Sequence, residues 1–515
     1  IIFVIVNIKI NSQNTNIKVG NWIKDEAGLP AFVYSGPYPF VVKNEEGKTV
    51  NMPNDPYFIL GNYRMTVFAH VSGKLQYYAS ERAYGKPNAS DTIMKGENGA
   101  FIIMNGKKTV LIGNSSIAGD QKYVSRKFGC GYGMYKYNLK SGINHERILT
   151  AKPSENIAEG KSGLLIKLKF KNTSTKPLTF VYTEWIRANY EMPFQQRSKK
   201  KVFYTPNIET SADQSCIKAG FIATTNEPFL WRSKEDQALY DGFPPALFMK
   251  STGNTPVKFT EGKDGKFSTI QFSSNIKLKP GEEKVIEFIQ GFSYENEFNS
   301  IDLLSNNLIS AAGGDEIPFR DLWKKKLPSF TEEKDSVTRR ELIWGAYVLY
   351  AMANYSDYFK ETKIPLGACY DYHWGMHVCT RDHFQLMLPA MYYDQELAKS
   401  GIRYVLKRMN KKGEMHMSEY GYGYVSHGTL FGSDNQLYFL WVIGEWLRIT
   451  GDKGFLLENL EYYPMGSGAM GTILEKIEIA YQYFRDEVGT GPNGWIKNLD
   501  SDWSDDVSFR AIDVA

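Results

Sequence analysis

The sequence predicts a two-part chain, an antiparallel β-sandwich followed by a mainly α-helical domain. The prediction rests on chain length, on a period-two apolar pattern in the first half, and on a change to helical spacing after about Asn299. At 515 residues the chain is too long for one hydrophobic core and divides into parts that are each large enough to be stable alone.

The first residues, IIFVIVNIKINSQ, join a short apolar run to a polar exit. Over 1–16 this reads as the remnant of a secretory signal, with an N-terminal strand as the alternative. Periplasmic or secreted localisation is the corresponding expectation. No other segment approaches the length of a membrane span.

Residues 17–298 form the predicted sandwich. In LLIKLKFKN, Ile166, Leu168 and Phe170 alternate with Lys167, Lys169 and Lys171, which gives an antiparallel strand one apolar and one wet face. STIQFSSNIKLKPGEEKVIEF repeats the pattern, with Pro280 and Gly281 supplying the turn between two strands. Many such strands at short spacing indicate a sandwich. Residues 299–334 read as a linker, because GGDEIPFRDLWKKKLPSF holds too many breakers for one long helix.

Residues 335–515 form the predicted helical domain. In RRELIWGAYVLYAMANY, Leu342, Ala346, Leu349 and Tyr350 recur at helical spacing, and Leu437, Leu440 and Trp441 do so in DNQLYFLWVIGEWLRITGD. The second helix should stop at Arg448 and Gly451, and EKIEIAYQYFRDEVG should stop at Gly489. Few helices fit before Ala515 for so much apolar surface, so the domain is expected to be a fragment of a larger one.

Composition narrows the function. The chain is 42% hydrophobic and 23% charged, an ordinary globular balance, and its 14% aromatic content is the unusual figure. With 33 tyrosines and 10 tryptophans it has flat apolar faces with polar handles, suited to sugar rings or to a large β-rich core. A net charge of +4 and one short basic run, Arg197 to Lys201, argue against nucleic acid as a partner. Cys130, Cys216, Cys369 and Cys379 lack CxxC spacing and indicate neither zinc nor a disulfide framework.

Chemistry concentrates in the second half. His373 and His377 have the i, i+4 spacing of helical metal ligands, but no glutamate follows as in HExxH and Gly375 lies between them, so no metal site is assigned. Arg381 and Asp382 open an otherwise apolar helix in TRDHFQLMLPAMYYD, either as a charged pair facing a loop or as an ordinary first-turn cap. In GWIKNLDSDWSDD, Asp500, Asp502, Asp505 and Asp506 crowd around Trp503. That cluster reads as a degenerate calcium loop, a capping cluster, or an acid whose pKa is raised against the indole.

The order of these motifs resembles a known family. TRDHFQLMLPAMYYDQELAKSGIRYVLKRMNKKGEM, then GSDNQLYFLWVIGEWLRITGDKGFLLENLEYYP, then DWSDD are similar to the catalytic domain of the cellobiose- and chitobiose-phosphorylase family, within the six-hairpin glycosidase superfamily. LKFKNTSTKPLTFVYTEWI resembles that family's Asn-containing strand pairs. The resemblance implies an (α/α)6 barrel after the sandwich, incomplete at Ala515, that cleaves a glycosidic bond of an oligosaccharide with inversion. It implies Asp502 as general acid, Arg381 and Asp382 as residues holding the sugar ring, and Trp503 and Asp505 as further substrate-binding positions of the same loop. Ser504 and Asp506 replace the family's Asn and Gly.

Inversion needs an acid on the leaving oxygen and a nucleophile on the opposite face of the ring, with the two carboxyls of a hydrolase about 6.5–9.5 Å apart. Glu414, Glu419 or a residue beyond Ala515 is the expected base of a hydrolase. A phosphorylase would use inorganic phosphate as co-substrate instead, and neither reaction calls for a cofactor. A homodimer is implied by the resemblance alone. A non-catalytic glycan-binding protein is the third reading, opposed by the presence of Asp502.

Overall fold

The computed structural model describes residues 20–35, 41–43, 49–51, 57–79, 85–89, 97–112, 124–191, 202–225, 244–253, 256–365, 378–421, 424–425 and 434–497. The N-terminal signal expectation, the basic run, His373, His377, and the cluster Asp500, Asp502, Trp503, Asp505 and Asp506 lie outside these residues.

The first half contains a ten-stranded sheet faced by a five-stranded one, and every pairing within them is antiparallel. Strand Gly163–Asn172 sits inside the large sheet, with Ile166, Leu168 and Phe170 buried and Lys171 exposed. Their inward faces meet Phe180, Tyr182, Ile270 and Phe272 in one core. Phe170 and Tyr182 pack edge to face across it with ring centres 5.1 Å apart.

Leu165 points the other way. It packs with Phe248 and Ile289 under helix α1, Phe298–Ala312, which contributes Ile301 and Leu308. The large sheet is therefore covered on both sides at this strand, and the strict alternation begins only beyond Leu165.

The Pro280–Gly281 turn is present, with Gly281 at φ 75°. It joins strands of different sheets, since Phe267–Leu278 belongs to the small sheet and Glu283–Ser293 to the large one. Asn172 fastens this corner, its Nδ2 donating to the Leu278 and Lys176 carbonyls at 3.2 and 2.8 Å. The Asn of LKFKN is thus buried to satisfy backbone where two crossovers meet.

Within the expected linker, a short helix α2, Arg320–Lys326, stitches the halves together. Trp323 is buried, donates from Nε1 to the Ala151 carbonyl at 2.7 Å, and meets the Tyr347 ring at 5.0 Å. Gly131, at φ 82°, makes room for it. One core cluster runs from Phe68 and Tyr78 through Trp323 and Tyr347 to Phe384, Phe439 and Trp446.

The helical half contains α3 (Ser336–Met352), α4 (Thr380–Tyr393), α5 (Gln395–Leu406), α6 (Asn435–Thr450) and α7 (Ile473–Tyr483). Asp335 caps α3, Asp394 caps α5, and Thr472 with Glu475 forms a capping box on α7. Helix α6 ends at Gly451, φ 68°, and the turn after α7 ends at Gly489, φ 71°, as expected. No helix among the described residues is long and apolar enough to cross a membrane.

Two inward faces differ from expectation. Leu342 is 38% exposed, although Ala346, Leu349 and Tyr350 are buried. On α6, Leu437 and Trp441 are 45% and 48% exposed, while Phe439, Val442, Ile443 and Trp446 form the buried stripe. Polar residues decide the orientation: Asn435 donates to the Met415 carbonyl and Gln436 to the Gly413 carbonyl, each at 3.1 Å. Such a helix is apolar on most sides, so periodicity alone does not select its buried face.

Candidate active site

Helix α4 begins from a well-fixed start. Strand Val378–Cys379 pairs with Ser418–Gly421, setting Val378 opposite Glu419. The next residue, Thr380, donates from its amide to the Met417 carbonyl at 2.9 Å and from Oγ1 to the His416 carbonyl at 2.6 Å. Arg408, fully buried, donates from Nη2 to Thr380 Oγ1 at 3.1 Å and to the His416 carbonyl at 3.0 Å. This anchors the backbone that presents Arg381 and Asp382.

Arg381 and Asp382 occupy the first turn of α4. Asp382 is not the cap, because Cys379 is the N-cap residue and its side chain makes no capping bond. As a first-turn acid Asp382 keeps a favourable dipole interaction of about 0.3–1 kcal/mol. Arg381 Nη1 lies 3.2 Å from Asp434 Oδ2, and the two side chains are 12% and 13% exposed.

One turn further, Gln385 Nε2 donates to the Tyr438 hydroxyl at 3.0 Å. The Phe384 and Phe439 rings stack beside them with centres 6.1 Å apart. From Arg381–Asp434 to the pairs one turn on, the partners advance along both helices, so α4 and α6 run parallel with their N-termini together. Helix α5, which lies between them in the chain, packs back along α4: Gly401 meets Met387, and the Tyr404 ring meets His383, so it is antiparallel to α4. Up, down and up again is the arrangement of helical hairpins set side by side.

Burial raises the Tyr438 pKa, and Asp434 and Asp382 add to the shift while Gln385 and Arg381 oppose it. The phenol keeps its proton at neutral pH. A cation, two carboxylates, an amide and a neutral phenol therefore share the half-buried end of one helix pair, a polar set able to hold hydroxyl groups.

Next to the strand that leads into α4 lies a largely buried group of charges. Tyr404 donates to Glu419 Oε2 at 2.6 Å, and Lys363 Nζ stands 3.8 Å from the same oxygen, with Glu419 and Lys363 fully buried. Lys407 pairs with Glu361 at 2.7 Å, and the Ser400 hydroxyl donates to Glu361 at 2.8 Å. Burial raises the Glu361 pKa against the opposing pull of Lys407.

His383 is neutral. Burial, followed by the Arg408 charge, pushes its pKa down to about 3. Its Nδ1 accepts from the Ile364 amide at 3.2 Å, so the proton sits on Nε2 and is donated to the Gly401 carbonyl at 3.1 Å.

Of the expected base residues, Glu419 is locked in this buried group, and Glu414 accepts from Asn410 Nδ2 at 2.8 Å in the turn after α5. Of the expected substrate residues, Arg381 and Asp382 are together at the end of α4, and Asp502, Trp503 and Asp505 fall outside the described residues. The sequence reading did not single out Asp434, Gln385, Tyr438, Arg408 or Lys363. The first three carried a usable signal, since Gln385 follows Arg381 and Tyr438 follows Asp434 by four residues.

No protein-family model and no curated protein matches the chain. Among solved structures, a human-microbiome protein assigned as a kojibiose phosphorylase aligns with a TM-score of 0.52 at 12% identity, over 83% of this chain and 57% of that one. The chain shares the fold of that protein over the aligned part. The match spans less than two thirds of the neighbour's length. A polysaccharide lyase aligns over 85% of this chain and 70% of its own with a TM-score of 0.26 at 11% identity. An aldose 1-epimerase from Escherichia coli K12 gives 0.24 at 10% identity, over 46% of this chain and 99% of its own. Scores this low carry no argument about fold.

Proposed function

We propose that the protein is a carbohydrate-active enzyme that cleaves a glycosidic bond of an oligosaccharide with inversion, with hydrolysis as its leading reaction. The observation that carries this reading is the fold shared with the phosphorylase-assigned protein over 83% of the chain. The motif order in the sequence supports the same reading. In this proposal Asp502 protonates the leaving oxygen, Arg381 and Asp382 hold the ring at the cleavage point, and Trp503 and Asp505 contact substrate from the loop of the acid. The helical domain is then part of an (α/α)6 barrel. The narrower cellobiose- and chitobiose-phosphorylase membership, export to the periplasm or medium, and a homodimer belong to the proposal as well.

Phosphorolysis is the second reading, and the burial of Glu419, one of the expected bases, supports it. Water attack needs a base that reaches solvent, and Glu419 is fully buried. Inorganic phosphate would replace both base and water, and the solved structure with the same fold carries a phosphorylase name.

Incubation with a panel of α- and β-linked oligosaccharides, with and without inorganic phosphate, tests both. Free sugars formed equally in both conditions establish hydrolysis, and sugar 1-phosphate formed only with phosphate establishes phosphorolysis. No cleavage of any glycan, with binding retained, returns the chain to the class of glycan-binding proteins.

A further inference from the structure

We infer that Asp434 is a positioning residue whose carboxylate holds the Arg381 guanidinium in the orientation that engages the sugar; the inference rests on the proposed role of Arg381. The first observation is a cap that is not made. Asp434 is the N-cap residue of α6, where an aspartate normally accepts a backbone N–H from the first turn, yet its side chain makes no capping bond. It turns to Arg381 Nη1 at 3.2 Å instead. Asp335 and Asp394, at the starts of α3 and α5, do cap their helices.

The second observation is the placement of Arg381. A cation in the first turn opposes the positive end of its own helix, and because α4 and α6 run parallel, the start of α6 adds to the same unfavourable field. Asp434 supplies the compensating charge at that point. A guanidinium is a rigid planar fork, so a carboxylate on one edge fixes where the whole fork points. The Gln385–Tyr438 bond one turn below, at 3.0 Å, sets the spacing of the two helices and leaves the pair little freedom to slide.

The variants Asp434→Asn, Asp434→Glu, Arg381→Ala and the Asp434→Asn/Arg381→Ala double are compared for KM, kcat and thermal stability on the best glycan of the panel. Asparagine caps helices as well as aspartate does, so Asp434→Asn removes the charge while leaving any capping role intact. The expected result is a loss in kcat/KM of about tenfold to a hundredfold for Asp434→Asn, partial recovery in Asp434→Glu, and a double variant no worse than Arg381→Ala alone. Full kcat/KM in Asp434→Asn, or additive losses in the double variant, overturns the inference. A wild-type chain that turns over no glycan overturns the reading on which it rests, and that outcome is recognised before any variant is measured.

Discussion

Tyr404 gives its phenolic hydrogen bond to Glu419 at 2.6 Å while Lys363 stands 3.8 Å from the same carboxylate oxygen, in a layer with no solvent contact for Glu419 or Lys363. A carboxylate so placed holds structure together and does not reach a water molecule that attacks a sugar. It faces Val378, two residues before Thr380, so this layer supports the backbone that presents Arg381.

Glu419→Ala should therefore cost about 3–5 kcal/mol of stability, because it removes the negative charge beside buried Lys363 together with the acceptor of the Tyr404 hydroxyl, whereas Glu419→Gln loses only the charge and should cost less. Glu419→Gln keeps the shape and an acceptor for Tyr404, and should retain turnover of whatever glycan the wild type cleaves. Urea denaturation and initial rates on both variants check this. A Gln variant that folds normally and is inactive would make Glu419 part of the chemistry.

Acidification should weaken the fold through two buried histidines. His145, stacked between Tyr137 and Phe170, and His383 are both pushed down to about 3, chiefly by burial. Between that value and the unfolded pKa near 6.5 the unfolded chain binds more protons, so the contribution is complete above pH 6.5 and is lost as pH falls through the window. Each histidine adds a slope of about 1.4 kcal/mol per pH unit. His145→Phe preserves the ring stack and should flatten stability against pH between 6 and 4, as read by denaturation midpoints. An unchanged slope would mean that His145 is not buried neutral.

Much of this fold was legible in the sequence because the relevant physics was local. The alternation in LLIKLKFKN, the Pro280–Gly281 turn, and the stops at Gly451 and Gly489 follow from side-chain period and backbone conformation within a few residues. What was not legible depended on partners distant in sequence. The turn at Gly281 gave no sign that it joins two sheets, since that is fixed by which strands its neighbours pair with. The buried face of α6 was misread because it is decided by the Asn435 and Gln436 bonds to the Met415 and Gly413 carbonyls. At the candidate site, Arg381 and Asp382 stood out as charges opening an apolar helix, whereas the Asp434 contact joins residues 53 positions apart and exists only once the chain between them is folded.

The junction between the halves predicts a sharp glycine requirement. A Cβ on Gly131 would fall 1.9 Å from Trp323 Nε1, and its φ of 82° is strained for any other residue but glycine. Trp323 cannot retreat without losing its bond to the Ala151 carbonyl and its contact with Tyr347. Gly131→Ala should destabilise by about 2–4 kcal/mol, the combined scale of overpacking and an unpaired indole N–H. Thermal unfolding checks it, and Trp323→Phe in the same background should recover part of the loss by removing the clashing nitrogen.

The proposed chemistry makes a final, separable prediction. If Asp502 is the general acid, Asp502→Asn removes the proton donor and leaves the shape, so kcat should fall by about a hundredfold to ten-thousandfold while binding of the intact oligosaccharide persists. The loss should be smaller on glycosides with good leaving groups, which depart without protonation. Arg381→Ala differs in kind: a contact made in both the bound and transition states raises KM as well as lowering kcat/KM, with little dependence on the leaving group. Steady-state kinetics on natural and activated substrates separate the two patterns. Equal losses on both substrates for Asp502→Asn would place Asp502 in binding, and the acid would then be sought among its neighbours Asp500, Asp505 and Asp506.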